Sequence, residues 1–333
     1  MSESSLAPTV LITGANGFIG SRLSALFLHN GFRVFAGVRK GADMRLLKDA
    51  AVEYRYGDVT QPASLSGMTA DVDYVIHNAG VVKAKSRDQF LAVNAEGNRA
   101  LLDVVVSENP QVRKFVYISS LAAAGPSVDG RPVTESDSPH PVTVYGQSKV
   151  AGERICAEYS TKVNIAIVRP PAVYGPGDKE ALAFFQTANS RIKPLFGDPN
   201  RKIQMVHVDD LCEGIYRTAV AETVSGSAYF IAEKQSYTLR DLVTILEAAS
   251  GKKGVPLRFP ASLFKMIATL SEASFRLVGA TPMLTREKAG ELLGAWEVST
   301  EKARKDLGFE SHIPFAQGVQ ETFAWYRKYG WLK

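Results

Sequence analysis

Val10-Leu11-Ile12-Thr13-Gly14-Ala15-Asn16-Gly17-Phe18-Ile19-Gly20 is the stretch from which the fold of this chain is read. Residues 10–12 are apolar throughout and mostly β-branched, which predicts a short buried strand. Thr-Gly-x-x-Gly-x-x-Gly follows and runs into residues 21–28, whose pattern is helical. A strand, a glycine turn and a helix N-terminus together make a cradle for a dinucleotide pyrophosphate. Gly14 permits the tight turn, Gly17 lets backbone approach phosphate, and Gly20 allows close packing of helix on strand. A glycine triplet alone fits a plain strand–helix turn equally well, so the remaining chain decides what chemistry follows.

The 333 residues suffice for one large or two modest domains with a substantial core. A net charge of +5, dispersed along the chain, argues against nucleic acid and leaves an anionic small ligand open. Cys156 and Cys212 lack metal-ligand or CxxC spacing. The expectation is no disulfide, no metal site and a reducing compartment. Residues 1–8 have neither the basic start nor the apolar core of a secretory signal. No uncharged apolar run reaches the roughly 18 residues of a spanning helix, so a cytoplasmic protein is expected.

Strands are predicted at 34–38, 52–56, 74–76, 114–118 and 164–168, with helices at 21–29, 44–50, 94–108 and 148–158. That alternation implies a doubly wound parallel α/β sheet with right-handed crossovers. After Arg169-Pro170-Pro171 the rhythm changes to a loop at 174–178 and a helix at 180–189. Residues 204–208 and 229–231 read as returns to the first domain. From Thr238, a predicted N-cap for a helix at 239–249, helices dominate. The division is a dinucleotide-binding domain of residues 1–176 plus 203–232 and a smaller discontinuous lobe of 177–202 and 233–333. The lobe sits where ligands of such sheets bind, beyond the strand C-termini. Leu263, Met266, Ile267, Leu270, Leu277 and Val278 recur at helical spacing, interrupted by Lys265, Glu272 and Arg276. Core packing or a lid over the pocket is the favoured reading, and interfacial membrane contact the alternative.

Tyr145-Gly146-Gln147-Ser148-Lys149 presents a phenol and an ammonium on one helix face. A phenol titrates near about 10, and a nearby cation favours the phenolate, so the pair suits proton exchange with a hydroxyl or carbonyl oxygen. Tyr117-Ile118-Ser119-Ser120 places serines at the end of an apolar strand, where a hydroxyl donates to the same oxygen.

These motifs, with Asp58-Val59, His77-Asn78-Ala79-Gly80 and Arg169-Pro170-Pro171-x-x-Tyr174-Gly175-Pro176-Gly177, stand in the order of the extended short-chain dehydrogenase/reductase superfamily. The chain resembles its NAD-dependent epimerase/dehydratase group, and residues 296–300 and 307–309 add to the likeness. The resemblance implies a Rossmann-type domain and a catalytic set of Ser120, Tyr145 and Lys149. Tyr145 is the implied acid/base, Lys149 lowers its pKa and holds the nicotinamide ribose, and Ser120 binds the reacting oxygen. Ser120 is preferred to Ser119 because Ser120 and Gly125 meet the family spacing. The implied cofactor contacts are Gly14, Asn16, Gly17, Phe18, Ile19 and Gly20 in the cradle, and Asp58 and Val59 flanking adenine. Asn78, Ala79 and Gly80 line the middle, Asn94 matches the family asparagine in the following helix, and Tyr145, Lys149 and Pro170 lie toward the nicotinamide.

NAD-preferring members place an acidic residue at the end of the second strand, where this chain has Val38-Arg39-Lys40-Gly41. Arg39 and Lys40 attract a 2′-phosphate, which favours NADP over NAD. Sugar dehydratases carry Thr-Asp-Glu where Ser119-Ser120-Leu121 stands, and sugar epimerases carry asparagine at Ala172, so both readings weaken. Arg169-Pro170-Pro171 and Val206-His207-Val208-Asp209-Asp210 resemble the 3β-hydroxysteroid dehydrogenase/dihydroflavonol reductase-like branch. His207 and Asp209 are read as a structural cap. The expected function interconverts a secondary alcohol and a ketone on a lipophilic or aromatic small molecule. A nucleotide-sugar 4-epimerase holding NAD is the enzyme alternative, and a cofactor-sensing binding protein the non-enzyme one. A homodimer is implied by the family alone.

Overall fold

The computed structural model describes residues 7–48, 50–277 and 285–332. Its centre is a sheet of seven parallel strands: β1 (Thr9–Thr13), β2 (Arg33–Val38), β3 (Glu53–Tyr56), β4 (Tyr74–His77), β5 (Lys114–Ile118), β6 (Ile165–Val168) and β7 (Ser227–Tyr229). Their spatial order is β7-β6-β5-β4-β1-β2-β3. The order reverses between β1 and β4, and that switch point opens the crevice at the strands' C-terminal ends.

Central strands of such a sheet are covered on both faces and so carry no polar alternation. Val10, Leu11 and Ile12 are fully buried, and every residue of β5 is buried. One face packs against α1 (Phe18–His29) and α4 (Val208–Val220) through Leu23, Phe27, Leu211 and Ile215. The other packs against α2 (Gly97–Glu108) and α3 (Val144–Tyr159) through Leu101, Leu102, Val105 and Ile155. Helix α3 starts four residues earlier than expected because Thr143 caps it, accepting from Gly146 N at 3.0 Å. Such a cap contributes about 1 kcal/mol.

Later segments build the second body of packing. Ile192–Phe196 pairs in parallel with Val255–Phe259, and Lys202–Ile203 runs antiparallel to Tyr237–Thr238. Thr238 and Asp241 form a capping box at the head of α5 (Leu239–Ser250). Beyond it lie α6 (Ala261–Leu277), α7 (Arg286–Leu293) and α8 (Phe315–Lys328). Tyr174, Phe185, Leu242, Phe315, Phe323 and Tyr326 share one buried cluster there. His207 caps α4, its Nδ1 accepting from Asp209 N at 3.3 Å, as the structural reading of that histidine expects. The next carboxylate, Asp210, accepts from His312 N and Ile313 N at 3.0 and 2.9 Å and ties the C-terminal segment to α4.

Two expectations need correction. Residues 44–48 and 50 form turns instead of a helix; Asp43 holds the Arg45 backbone and side chain, and so short a helix has no reserve against its nucleation cost. Separately, Met205–His207 pairs with Ala172–Tyr174 beside the central sheet, whose edge β7 occupies, and Val206 and Val208 pack in the same cluster as Val10 and Ile12. Met266, Ile267 and Leu270 are exposed instead of packed; the packed face of α6 carries Phe264, stacked on Phe196 at 4.3 Å, and the fully buried Ala268. The side chain of Leu277, and Val278 altogether, lie outside the described residues. No helix among the described residues is long and apolar enough to cross a membrane.

Candidate active site

The glycine cradle has the shape its spacing predicts. Gly14 adopts φ +65°, and a Cβ there would lie 3.0 Å from Ala79 Cα. A Cβ on Gly20 would lie 2.2 Å from the Gly14 carbonyl, so no side chain fits between α1 and the turn. Gly17 heads α1 with no side-chain cap and no acidic residue in the first turn. The opening N–H groups of α1, on Phe18 and Ile19 among others, are therefore left for an anion. Asn16 donates to the Asp43 carbonyl at 3.2 Å and fastens the outer rim. These features fit a dinucleotide pyrophosphate.

Behind the cradle the end of β4 is fixed by side chains. Thr13 Oγ1 meets His77 Nδ1 at 2.8 Å and accepts from Ala79 N at 3.1 Å, while Asn78 donates to the Gly14 carbonyl. Burial drives the His77 pKa down to about 3, helped by Lys149, so the ring is neutral. Asn94 lies in a π-helical turn, Ala92–Glu96. It accepts from Val81 N at 2.9 Å and donates to Val81 O and Ser148 Oγ, both at 3.0 Å. Gly80 faces Asn94 and Lys149: a Cβ there would be 3.1 Å from Asn94 Oδ1 and 3.3 Å from Lys149 Nζ.

The two neighbouring serines divide. Ser119 is buried and donates to Glu153 Oε1 at 2.5 Å, and Glu153 is gripped by Arg169 through two bonds of 2.9 and 2.7 Å. Ser120 caps the short helix Leu121–Ala124, accepting from Ala122 N at 3.1 Å, and stands near enough to the Tyr145 phenol to draw its pKa down. Burial pushes the Tyr145 phenol up to about 12; Ser120 draws it back and Glu291 adds to the rise. Burial brings Lys149 down to about 8 against the pull of Glu153. Its ammonium donates to the Ile118 carbonyl at 2.8 Å and stands 5.0 Å from the Tyr117 ring. Burial, Ser120 and Glu291 set the Tyr145 value; the direct influence of Lys149 expected from the spacing is not among them.

At the outer end of the crevice Arg39 and Lys40 are exposed just past β2. Burial raises the Asp58 pKa, but bonds from Thr60 and the field of Arg39 outweigh it and hold the carboxyl below its usual value. Val59 packs beside Gly97, where a Cβ would come within 2.7 Å of it. Pro170 is buried, and its carbonyl accepts from Leu121 N at 2.8 Å. From the C-terminal helices, Glu287 on α7 accepts from Val144 N at 3.1 Å.

Sequence reasoning assigned no role to His77, Glu153, Arg169 or Glu291. Glu153 stands one helical turn beyond Lys149, a spacing that marks a shared face. Glu291 had no such signal, since only the folding back of α7 brings it to the phenol. The structure gathers Ser120, Tyr145 and Lys149 with Asn94 and Gly80 at the inner end of the crevice. Arg39, Lys40 and Asp58 lie at the outer end.

Comparison with known proteins agrees with this geometry. Residues 10–232 match the model of the NAD dependent epimerase/dehydratase family. Ceramide reductase of Caulobacter vibrioides is 31% identical over 328 residues, covering 97% of this chain and 96% of that protein. The 3-beta-hydroxysteroid dehydrogenase of Mycolicibacterium neoaurum is 24% identical over 339 residues, covering 95% and 91%. UDP-glucuronic acid 4-epimerase from Bacillus cereus, solved in complex with NAD, has the same fold: TM-score 0.75 at 20% identity, covering 96% of this chain and 99% of that one. The chain is an enzyme and belongs to the NAD-dependent epimerase/dehydratase family of the extended short-chain dehydrogenases/reductases.

Proposed function

We propose that this enzyme interconverts a secondary alcohol and a ketone on a lipophilic or aromatic small molecule, with NADP preferred over NAD. The observation that carries the reading is the convergence of Ser120 and the proton-bearing Tyr145 beside Lys149 at the end of β5, next to the glycine cradle. The nicotinamide, when bound, supplies or accepts the hydride. Gly14, Gly17 and Gly20 would hold its pyrophosphate through backbone, and Lys149 stands where the nicotinamide ribose would meet a donor, with Asn94 bracing Val81 and Ser148 beside it. With a pKa near 12, Tyr145 keeps its proton at neutral pH and gives it to the substrate oxygen in the reductive direction. Ser120 orients that oxygen, and Pro170 walls the site. Arg39 and Lys40 meet the adenosine 2′-phosphate, with Asp58 and Val59 beside the adenine.

The printed names of two relatives, ceramide reductase and 3-beta-hydroxysteroid dehydrogenase, both denote redox chemistry on lipophilic molecules, which supports that substrate class. Residues 177–202 and 233–333 would close over the crevice and select the substrate. A ketone panel with NADPH and NADH tests the reading: NADPH-dependent reduction is expected. Tightly copurifying NAD with isomerisation and no net redox would overturn it in favour of the epimerase. The enzyme is further expected to be a cytoplasmic homodimer, checked by fractionation and by light scattering.

A further inference from the structure

Helix α6 has two apolar faces, and the protein covers one of them. Positions 263, 266, 267 and 270 share a side of the helix at 100° per residue, roughly 120° away from Phe264 and Ala268. Phe264 packs on Phe196 and Ala268 is fully buried, yet Met266 is 53%, Ile267 41% and Leu270 61% exposed. Exposed large apolar side chains grouped on one face mark an interaction surface more often than chance.

The adjoining strand pair exposes apolar side chains on the sheet face that α6 packs across. In Val255–Phe259, Val255 and Leu257 are exposed, and Val255 lies in register with the exposed Ile192. Phe259 and Phe264 both stack on Phe196, at 5.4 and 4.3 Å, so strand pair and helix form one body. Charge identifies the partner. Lys252, Lys253, Arg258 and Lys265 are exposed within residues 251–275. The single acid there, Glu272, is half-buried and accepts from Arg286 N at 3.1 Å. A second copy of the chain meeting this face about a two-fold axis would set like charges against each other. A bilayer carrying anionic headgroups matches both the apolar and the basic components.

We propose that α6 and strand Val255–Phe259 form a peripheral docking surface for anionic lipid bilayers. Met266, Ile267 and Leu270 enter the headgroup boundary while Lys252 and Lys253 pair with lipid phosphates. The surface is joined to the site: α6 packs on α7, and α7 reaches the head of α3 through Glu287. Docking does not depend on which substrate the crevice takes.

Co-sedimentation of the full chain with vesicles tests this, using pure phosphatidylcholine against an equal mixture of phosphatidylcholine and phosphatidylglycerol. Binding to the anionic vesicles, weakened by salt, is expected. Lys252→Gln with Lys253→Gln should lower the partition by about 30-fold. Met266→Glu with Leu270→Glu should lower it by about a hundredfold or more. NADPH binding by each variant, followed by fluorescence, shows that it is folded. Three outcomes overturn the proposal: no partition of the wild type into anionic vesicles, partition that neither pair of substitutions changes, or self-association of the wild type that Met266→Glu with Leu270→Glu abolishes, which would make a second copy the occupant.

Discussion

Helix α3 buries two charges one turn apart, and the protein treats them in opposite ways. Glu153 meets Arg169 through two hydrogen bonds and Ser119 through a third, so its charge is answered inside the fold. The cation one turn earlier, Lys149, receives a backbone carbonyl and a ring face, and burial lowers its pKa to about 8. A buried charge with full partners specifies structure; one left short of partners is held ready for something that binds. Tyr145, one turn earlier still, belongs with Lys149. Its proton affinity is raised, and a serine at the crevice is its neighbour.

The sharpest test removes the phenol alone. Tyr145→Phe should lower turnover by about 10³-fold or more while NADPH affinity, read by fluorescence titration, stays within about twofold. Retained turnover would move Tyr145 to the structural side of the comparison. Next is Arg169→Met, which strands the Glu153 carboxylate. Unfolding in urea should show a loss of about 3–5 kcal/mol.

Lys149→Met should act with the opposite sign. A pKa reduced from 10.5 to about 8 means that burial of the ammonium costs about 3 kcal/mol at pH 7. Part of that is offset by the bond to Ile118, so the variant should be more stable by about 2 kcal/mol and inactive. Between pH 8 and 10.5 the unfolded state binds more protons at this lysine than the folded one. Wild-type stability therefore rises with pH across that window, and the advantage of the variant fades. A constant advantage from pH 7 to 10.5 would contradict it. The smallest effect is expected at the exposed cation: Arg39→Asp should cut the preference for NADPH over NADH by about 10–30-fold, measured as the ratio of kcat/KM.

The same contrast explains what could be read from the residues alone. The cradle, the strands and the Tyr145–Lys149 spacing are local: their geometry follows from a turn or a helix repeat, and the sheet formed as expected around them. Thr238, which heads α5, was legible for the same reason. What escaped depends on contacts distant in sequence. Thr13 and His77 are 64 residues apart. Glu291 reaches the Tyr145 region because α7 folds back on α3. The spacing of α6 marked one apolar stripe, read as packed, but the side that the neighbouring strands cover is the one carrying Phe264 and Ala268. The loss of the helix expected at 44–50 has a local cause, the grip of Asp43 on Arg45, that a count of apolar positions does not register.

The cluster around Tyr174 and Phe185 closes only when Phe315, Phe323 and Tyr326 arrive. On a translating ribosome that sets a schedule. The last strand of the central sheet is complete at Tyr229, and α8 begins at Phe315. At ordinary synthesis rates the interval is roughly 5–15 s, far longer than local structure takes to form. The finished sheet therefore waits with an apolar wound beside Tyr174, and chaperones that bind such surfaces have a defined interval in which to act.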